Sequence, residues 1–162
     1  MTADLITILS KYGQSTVDQI RENLSSTGTN ATGKTSRSLR YEVKKEGNKT
    51  TLKVLGKPYF AVVETGRKPT PQYKPSQQFV DSIKEWMDAK GKQGSAYAIA
   101  LAIHKRGTKL YRAGGRTDII SNVVNQNLVD KISAELLDKF ADELLRNVVE
   151  VYGSNNRTAT VR

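Results

Sequence analysis

The sequence contains no cysteine and only one histidine among its 162 residues. Without cysteine there is no disulfide framework and no thiolate zinc site. The lone histidine, His104, cannot build a metal cluster by itself. Its place beside Lys105 and Arg106, at the end of a predicted helix, predicts that it faces solvent or free helix carbonyls. We therefore predict no metal site, no catalytic site, no cofactor and no enzymatic activity.

Long apolar runs are also absent. The longest is "AYAIALAI", residues 96–103, and eight residues cannot span a bilayer, which needs about 20. The first residues, "MTADLITILSKYG", lack the basic start of a signal peptide. These observations predict a soluble protein, made in a cytoplasm, with no membrane partner.

Basic residues outnumber acidic ones by 26 to 16, and their excess is concentrated in the middle of the chain. Residues 28–117 hold 19 basic and 6 acidic side chains, whereas residues 1–27 and 118–162 have net charges of −1 and −2. Such polarity is typical of a chain that meets a polyanion or an acidic protein surface. Excess lysine that only keeps the protein soluble is the other interpretation, and both stay open.

Hydrophobic periodicity predicts the regular structure. A period of two in "SLRYEVK" and "TTLKVLG", joined through Gly47-Asn48, predicts a β-hairpin over residues 38–55. Periods of three and four predict helices, with two serines as N-caps. The predicted helices cover residues 3–24, residues 77 to about 91 after Ser76, Ala96–Arg106 after Ser95, and residues 125 or 127 to about 152.

Together these elements predict an α+β fold. An antiparallel β-sheet built on the 38–55 hairpin packs against a long N-terminal helix and a long C-terminal helix, with two shorter helices between them. The last helix has so wide an apolar stripe that we expect it to be buried on much of its girth and to end at Gly153. We predict one domain over residues 1–153 and a flexible tail over residues 154–162.

The stretch "GTNATGKT" fits the phosphate-binding loop pattern of nucleotide hydrolases through Gly28, Gly33, Lys34 and Thr35. A genuine phosphate loop follows a buried strand and opens a helix, so that backbone N–H groups face the phosphates. Here a helix is predicted before the stretch and a β-ribbon entered at Lys34 after it. We interpret the match as accidental and predict no nucleotide site.

Residues 89–117 carry seven basic side chains and no acidic one. The segment after the second short helix, "GTKLYRAGGRTD", is predicted to be a loop or arm. It tracks a nucleic-acid backbone or docks on an acidic neighbour, and both interpretations stay open. The predicted nucleic-acid or partner contacts are Lys105, Arg106, Lys109, Arg112 and Arg116.

Glu64 is the one acidic residue in the apolar stretch "YFAVVE", which is predicted to form a strand or one or two helical turns. Acid–base chemistry, a salt bridge to Arg67 or Lys68, and a capping role are the interpretations considered for its carboxylate. The segment after it, residues 67–75, contains three prolines and is predicted to be an extended surface loop. Its predicted contacts with other subunits are Arg67, Lys68 and Lys74.

Several of these segments, in this order, resemble the head–tail joining, neck and tail-completion proteins of tailed bacteriophages. In that family a "TG-x-L-x-x-S-[IL]" segment leads into a strand, and a "Y-A-x-x-[VI]-E-x-G-T" segment is followed by prolines and a phenylalanine-led helix. The resemblance covers roughly residues 1–90. The matching residues are Thr32-Gly33, Ser38-Leu39, Tyr59, Phe60 (where alanine is usual), Val63, Glu64, Gly66 and Phe79.

The resemblance implies a structural virion protein, assembled in the host bacterial cytoplasm, that forms a homo-oligomeric ring between portal and tail. Its implied partners are other neck, portal or tail proteins and the DNA in the channel. A ring needs two different patches that meet head to tail. The basic middle of the chain and the acidic side of the last helix, with Asp138, Asp142 and Glu143, are the pair that charge suggests. A basic nucleic-acid-binding module is the alternative function.

Overall fold

The computed structural model describes residues 2–70 and 74–157, with side chains described at residues 4–60, 62–70 and 74–146. Helix α1, Thr2–Ser26, is the central element. Gly13 costs helix propensity, and its place in α1 has a packing reason. A Cβ at this position would lie 2.6 Å from a ring carbon of Tyr41 and 2.8 Å from Leu52 Cδ1. The missing side chain therefore lets the β-ribbon rest directly on α1.

The ribbon is a two-stranded antiparallel sheet, as predicted. Strands β1, Arg40–Glu46, and β2, Lys49–Leu55, pair with Val43 opposite Leu52. The entry into the ribbon differs from the prediction, because Lys34–Ser38 forms a short helix, α2. Its first turn is set by Gly33, whose φ of 69° only glycine adopts readily. The ribbon therefore starts at Arg40 and not at Lys34.

The core joins α1 to segments that are distant in sequence. Its buried members are Val17, Ile20, Leu24, Leu39, Ile119 and Val123. Phe60 and Val63, from the segment that carries the family-like motif, pack against this cluster. The region around residues 58–64 is a 3-10 helix, Pro58–Val62, followed by a turn, which agrees with the helical alternative of the prediction.

Both short helices have the predicted caps. Helix α3, Gln77–Ala89, begins after Ser76, whose side chain accepts a hydrogen bond from the Phe79 N–H. Helix α4, Ala96–Arg106, begins after Ser95 in the same way and ends at Gly107. The predicted loop that follows contains a further short helix, α5, Lys109–Arg112, capped by Thr108.

The last helix, α6, Gln126–Arg157, packs on α1 and begins after Asn125, whose Oδ1 accepts from the Leu128 N–H. Two predictions about it are wrong. It runs past Gly153 to Arg157, and its apolar stripe is only partly covered. Leu137 is 69% exposed and Leu144 is 65% exposed, because α6 contacts α1 along one side only.

Some predictions lie outside the described residues. These are Pro71, within the proline-rich loop, and residues 158–162 of the C-terminal tail. Across residues 2–70 and 74–157, no helix combines the length and apolarity needed to cross a membrane. The α+β architecture with long first and last helices is as predicted.

Candidate functional site

The Glu64 carboxylate caps a turn more than 50 residues away in the sequence. Its Oε1 accepts backbone N–H groups from Ile119 at 2.9 Å, Ile120 at 2.6 Å and Ser121 at 3.0 Å. Its Oε2 accepts the Ser121 hydroxyl at 2.5 Å. The structure thus confirms the capping role. The chain's own donors occupy both carboxylate oxygens, and residues 119–121 were not singled out from the sequence.

Two opposing effects act on the pKa of Glu64. Burial alone raises the pKa, because an ionised carboxylate is poorly solvated inside a protein. The hydrogen bonds from Ser121, Ile120 and Ile119 favour the charged form and outweigh burial, so the pKa lies below its ordinary value of 4.5. Glu64 is therefore a charged structural acceptor, which argues against its use as a proton donor near neutral pH.

The residues after Glu64 are fastened to the far end of α4 by main-chain hydrogen bonds. The Thr108 N–H donates to the Arg67 carbonyl at 2.9 Å, and the Thr70 N–H donates to the His104 carbonyl at 2.9 Å. Thr108 Oγ1 accepts the N–H of Arg67 at 3.0 Å. The Arg116 N–H donates to the Glu64 carbonyl at 2.9 Å. We call this assembly, residues 64–70 with residues 104–121, the clasp.

The clasp orders the segment that was predicted to be a loop or arm, and it presents cations to solvent. Its exposed cations have no ion pair or side-chain hydrogen bond within the described part of the chain. The main-chain bonds of Arg67 and Thr70 place Lys68 beside the end of α4. We call this set the basic corner, and its members are Lys68, Lys105, Arg106, Lys109 and Arg112.

Two other predicted contacts have internal roles. The Arg116 guanidinium binds Asp118 through two hydrogen bonds, of 2.6 and 2.7 Å, and reaches Thr29 Oγ1 at 3.2 Å. Donation of these hydrogen bonds to Asp118 favours the charged guanidinium and raises the pKa of Arg116 above its ordinary value. Arg67 lies over the Phe79 ring at 3.8 Å from its centroid. Lys74, like Lys68, is exposed.

The stretch that matches the phosphate-loop pattern has a different geometry from a phosphate loop. It follows helix α1 and not a strand, and the N–H groups of Gly28, Thr29 and Asn30 donate to carbonyls at the end of that helix. A short helix, α2, does begin at Lys34, so the prediction of a β-ribbon entered there is wrong. Lys34 binds Glu85 at 2.5 Å, and Lys90 donates to the Gly28 carbonyl at 2.8 Å. These donors are turned toward the chain itself, which supports the interpretation of an accidental match.

His104 is buried, contrary to the prediction that it faces solvent or free carbonyls. It is 2% exposed and lies one helical turn after the fully buried Ala100, on the face of α4 that packs on α3. Its ring centroid is 6.4 Å from that of Phe79. Neither ring nitrogen has a hydrogen-bond partner among the described residues. The uniformly apolar run before it gave no signal of which face is buried.

Replacing His104 with leucine is expected to leave the free energy of unfolding unchanged or to raise it by up to about 1 kcal/mol. Leucine has a similar volume, and no hydrogen bond is lost with the ring. Urea denaturation of both proteins measures the difference. The contrasting substitution is Thr108→Val, which removes the acceptor of the Arg67 and Tyr111 N–H groups and should cost about 1–2 kcal/mol. A comparable loss in His104→Leu would show that the imidazole makes polar contacts.

No group of three or more histidine, cysteine, aspartate or glutamate side chains within the described residues could hold a metal ion. The absence of a catalytic site and of a cofactor stays a prediction. Comparison of the chain with models of protein families, with curated proteins and with solved structures finds no match in any of the three.

Proposed function

We propose that this chain is a structural, non-enzymatic subunit of the head–tail connector of a tailed bacteriophage. It forms a ring, as a neck or tail-completion protein, around the channel through which DNA passes. Its setting is the virion, after assembly in the cytoplasm of the bacterial host. The proposal starts from the family-like segments, of which the stretch from Tyr59 to Gly66 is built into the core and the clasp through Phe60, Val63 and Glu64.

The observation that carries the proposal is the presence of two unlike uncovered surfaces on separate elements. The basic corner lies at the junction of α4 and α5, and an exposed apolar side runs along α6. Two different patches on one subunit are what a head-to-tail ring requires, whereas a two-fold dimer uses one patch twice. The hydrogen bonds of the clasp attach the basic corner to the rest of the fold.

Native mass spectrometry of the purified chain tests the proposal. We expect a discrete closed assembly of about 6 or 12 subunits, because head-to-tail contacts that close give rings of fixed number. The same measurement is repeated with duplex DNA added. A chain that stays monomeric across the accessible concentrations and binds DNA as a monomer would contradict the connector proposal and favour a nucleic-acid-binding module.

The nucleic-acid-binding module remains the second candidate, because the basic corner holds five cations without ion pairs and has the 43% exposed Tyr111 beside it. If all five neutralise DNA phosphates, log affinity should fall with log salt at a slope of about −4.5. Lys109→Gln should make that slope shallower by about 1. Arg116→Gln is the matched control and should leave the slope unchanged, because Asp118 already holds its guanidinium. Weak binding with a shallow slope would remove this candidate.

A further inference from the structure

One side of α6 is left uncovered by the rest of the described chain. Ala134, Leu137, Ala141 and Leu144 recur at steps of three and four, so they form one stripe along the helix. All four are exposed, and the neighbouring Leu145 is 62% exposed. Leucines at this spacing, with alanines that admit a close neighbour, are typical of a helix that packs on another helix. We call this stripe, with Leu145, the outer face of α6.

The opposite side of α6 packs against α1. Glu135 accepts hydrogen bonds from Lys11 Nζ and Tyr12 Oη of α1, each at 2.8 Å. Ile132 and Leu136 are half-buried on the same side. The outer face is therefore additional to the packing that holds α6 in the fold. A contiguous exposed apolar stripe of this kind marks an interaction surface.

Charge identifies what can cover the outer face. Asp130 continues the stripe one turn before Ala134, and Asp138 lies at its border beside Leu137. Both aspartates are exposed, and residues 126–146 hold five acidic and three basic side chains. The nearest base, Lys131, lies at the border of the stripe. The two aspartates would repel DNA phosphates, so DNA is a disfavoured occupant. A second outer face in parallel orientation is disfavoured, because it would bring Asp130 and Asp138 against the same aspartates of the other copy.

The same chain carries a complementary surface. Helix α4 has no acidic residue, exposes Tyr97 and Ala98, and ends in the basic corner. The apolar stems of lysine and arginine cover leucine side chains while their charged ends reach nearby carboxylates. The small and aromatic side chains exposed on α4 form a helix surface against which the alanine and leucine stripe of α6 can pack.

We propose that the outer face of α6 is covered by the α4 surface and basic corner of a second copy of this chain. The proposal rests on the proposed ring function and specifies its subunit contact. Because the two surfaces differ, each subunit uses its α6 toward one neighbour and its basic corner toward the other. Asp130 and Asp138 then pair with the corner lysines and arginines, and Leu137 and Leu144 form the apolar centre.

A charge swap tests this pairing. The first variant carries Asp130→Lys and Asp138→Lys, and the second carries Lys105→Glu and Lys109→Glu. Each variant alone should lose the assembly, because it faces like charges across every contact. Mixed in equal amounts, the two should recover an assembly that contains both in alternation, with an even number of subunits. Native mass spectrometry resolves the two chains once one of them is isotope-labelled.

The controls separate this contact from general effects of charge. Asp81→Lys with Asp88→Lys, and Lys84→Glu with Lys92→Glu, change exposed residues outside both surfaces and should leave the wild-type assembly intact. Circular dichroism confirms that every variant folds. Leu137→Gln with Leu144→Gln changes no charge and should also release subunits.

Each other outcome identifies what is wrong. Rings that persist in both charge variants overturn the pairing but leave the ring function standing. Assembly of the first variant with wild-type chains into pairs overturns it in favour of contact between two α6 helices. The pairing is also overturned if either charge variant assembles without the other, or if the mixture of the two does not assemble. A wild-type chain that does not self-associate overturns the ring function itself.

Discussion

Replacing Gly66 with alanine is expected to lower the free energy of unfolding by about 4 kcal/mol, which places it among the most damaging point substitutions. Gly66 has a φ of +70°, in the left-handed region. An added Cβ would lie 2.6 Å from Thr108 Oγ1 and 2.9 Å from Tyr111 Cα, and closer still to the Tyr111 backbone nitrogen. Backbone atoms cannot avoid the clash by changing rotamer, so residues 64–70 must move away from residues 104–121.

Gly47→Ala is the matched control for this prediction. Gly47, in the hairpin turn, has a φ of +59°, but an added Cβ would meet nothing within 4 Å. Its free energy of unfolding should fall by only about 1 kcal/mol, which is the cost of holding alanine in the left-handed conformation. Urea denaturation gives both free energies, and Gly66→Ala should also lower the melting temperature by about 10 °C. Equal losses of unfolding free energy in the two variants would show that the clasp accommodates the added methyl group, which would contradict the prediction.

The clasp also links stability to the proposed function. Gly66 lies against Thr108 and Tyr111, so opening the clasp would displace α5 and with it Lys109 and Arg112. We therefore expect Gly66→Ala to weaken assembly even at temperatures where it remains folded. The family-like motif thus acts through the fold: Glu64 and Gly66 position the surface that we propose meets a partner.

Local signals were sufficient to predict much of the fold. Ser76 and Ser95 cap α3 and α4 within three residues of sequence, and the alternation around Val43 fixes the hairpin register. The short helices α2 and α5 were missed because four or five residues carry little periodicity. Thr108 was an available signal, since threonine is among the residues preferred at a helix N-cap.

The site depended on contacts that no local pattern encodes. Glu64 was identified as unusual, but its donors at residues 119–121 come from a segment whose place is decided by the core around Ile119 and Val123. For α6 the sequence overestimated contacts, because its wide apolar stripe predicted more burial than the structure shows. Periodicity shows that a helix has an apolar face, but it cannot say whether Leu137 packs on its own chain or on another. The exposed outer face is therefore a result of the structure alone.

Replacing Glu64 with alanine is expected to lower the free energy of unfolding by about 3 kcal/mol. The substitution leaves three backbone N–H groups and the Ser121 hydroxyl without their acceptor, and each buried donor left unpaired costs about 1–3 kcal/mol. The total cost is smaller than the sum over four buried donors, because Ser121 is exposed and water can hydrogen-bond to it. Glu85→Ala, which removes a carboxylate from an exposed ion pair with Lys34, should change stability by less than about 0.5 kcal/mol.

The same carboxylate makes stability depend on pH. Because the folded state lowers the pKa of Glu64, its ionised form contributes stability that is fully present above the ordinary value of 4.5. That contribution is lost as pH falls below 4.5 and through the lowered pKa. Glu64→Gln, which cannot ionise, should be less stable than wild type at pH 7, and the gap between the two should narrow toward pH 3. Urea denaturation across this range measures the gap. A gap that stays constant or widens as pH falls would mean that the N–H groups of residues 119–121 do not hold a charged glutamate.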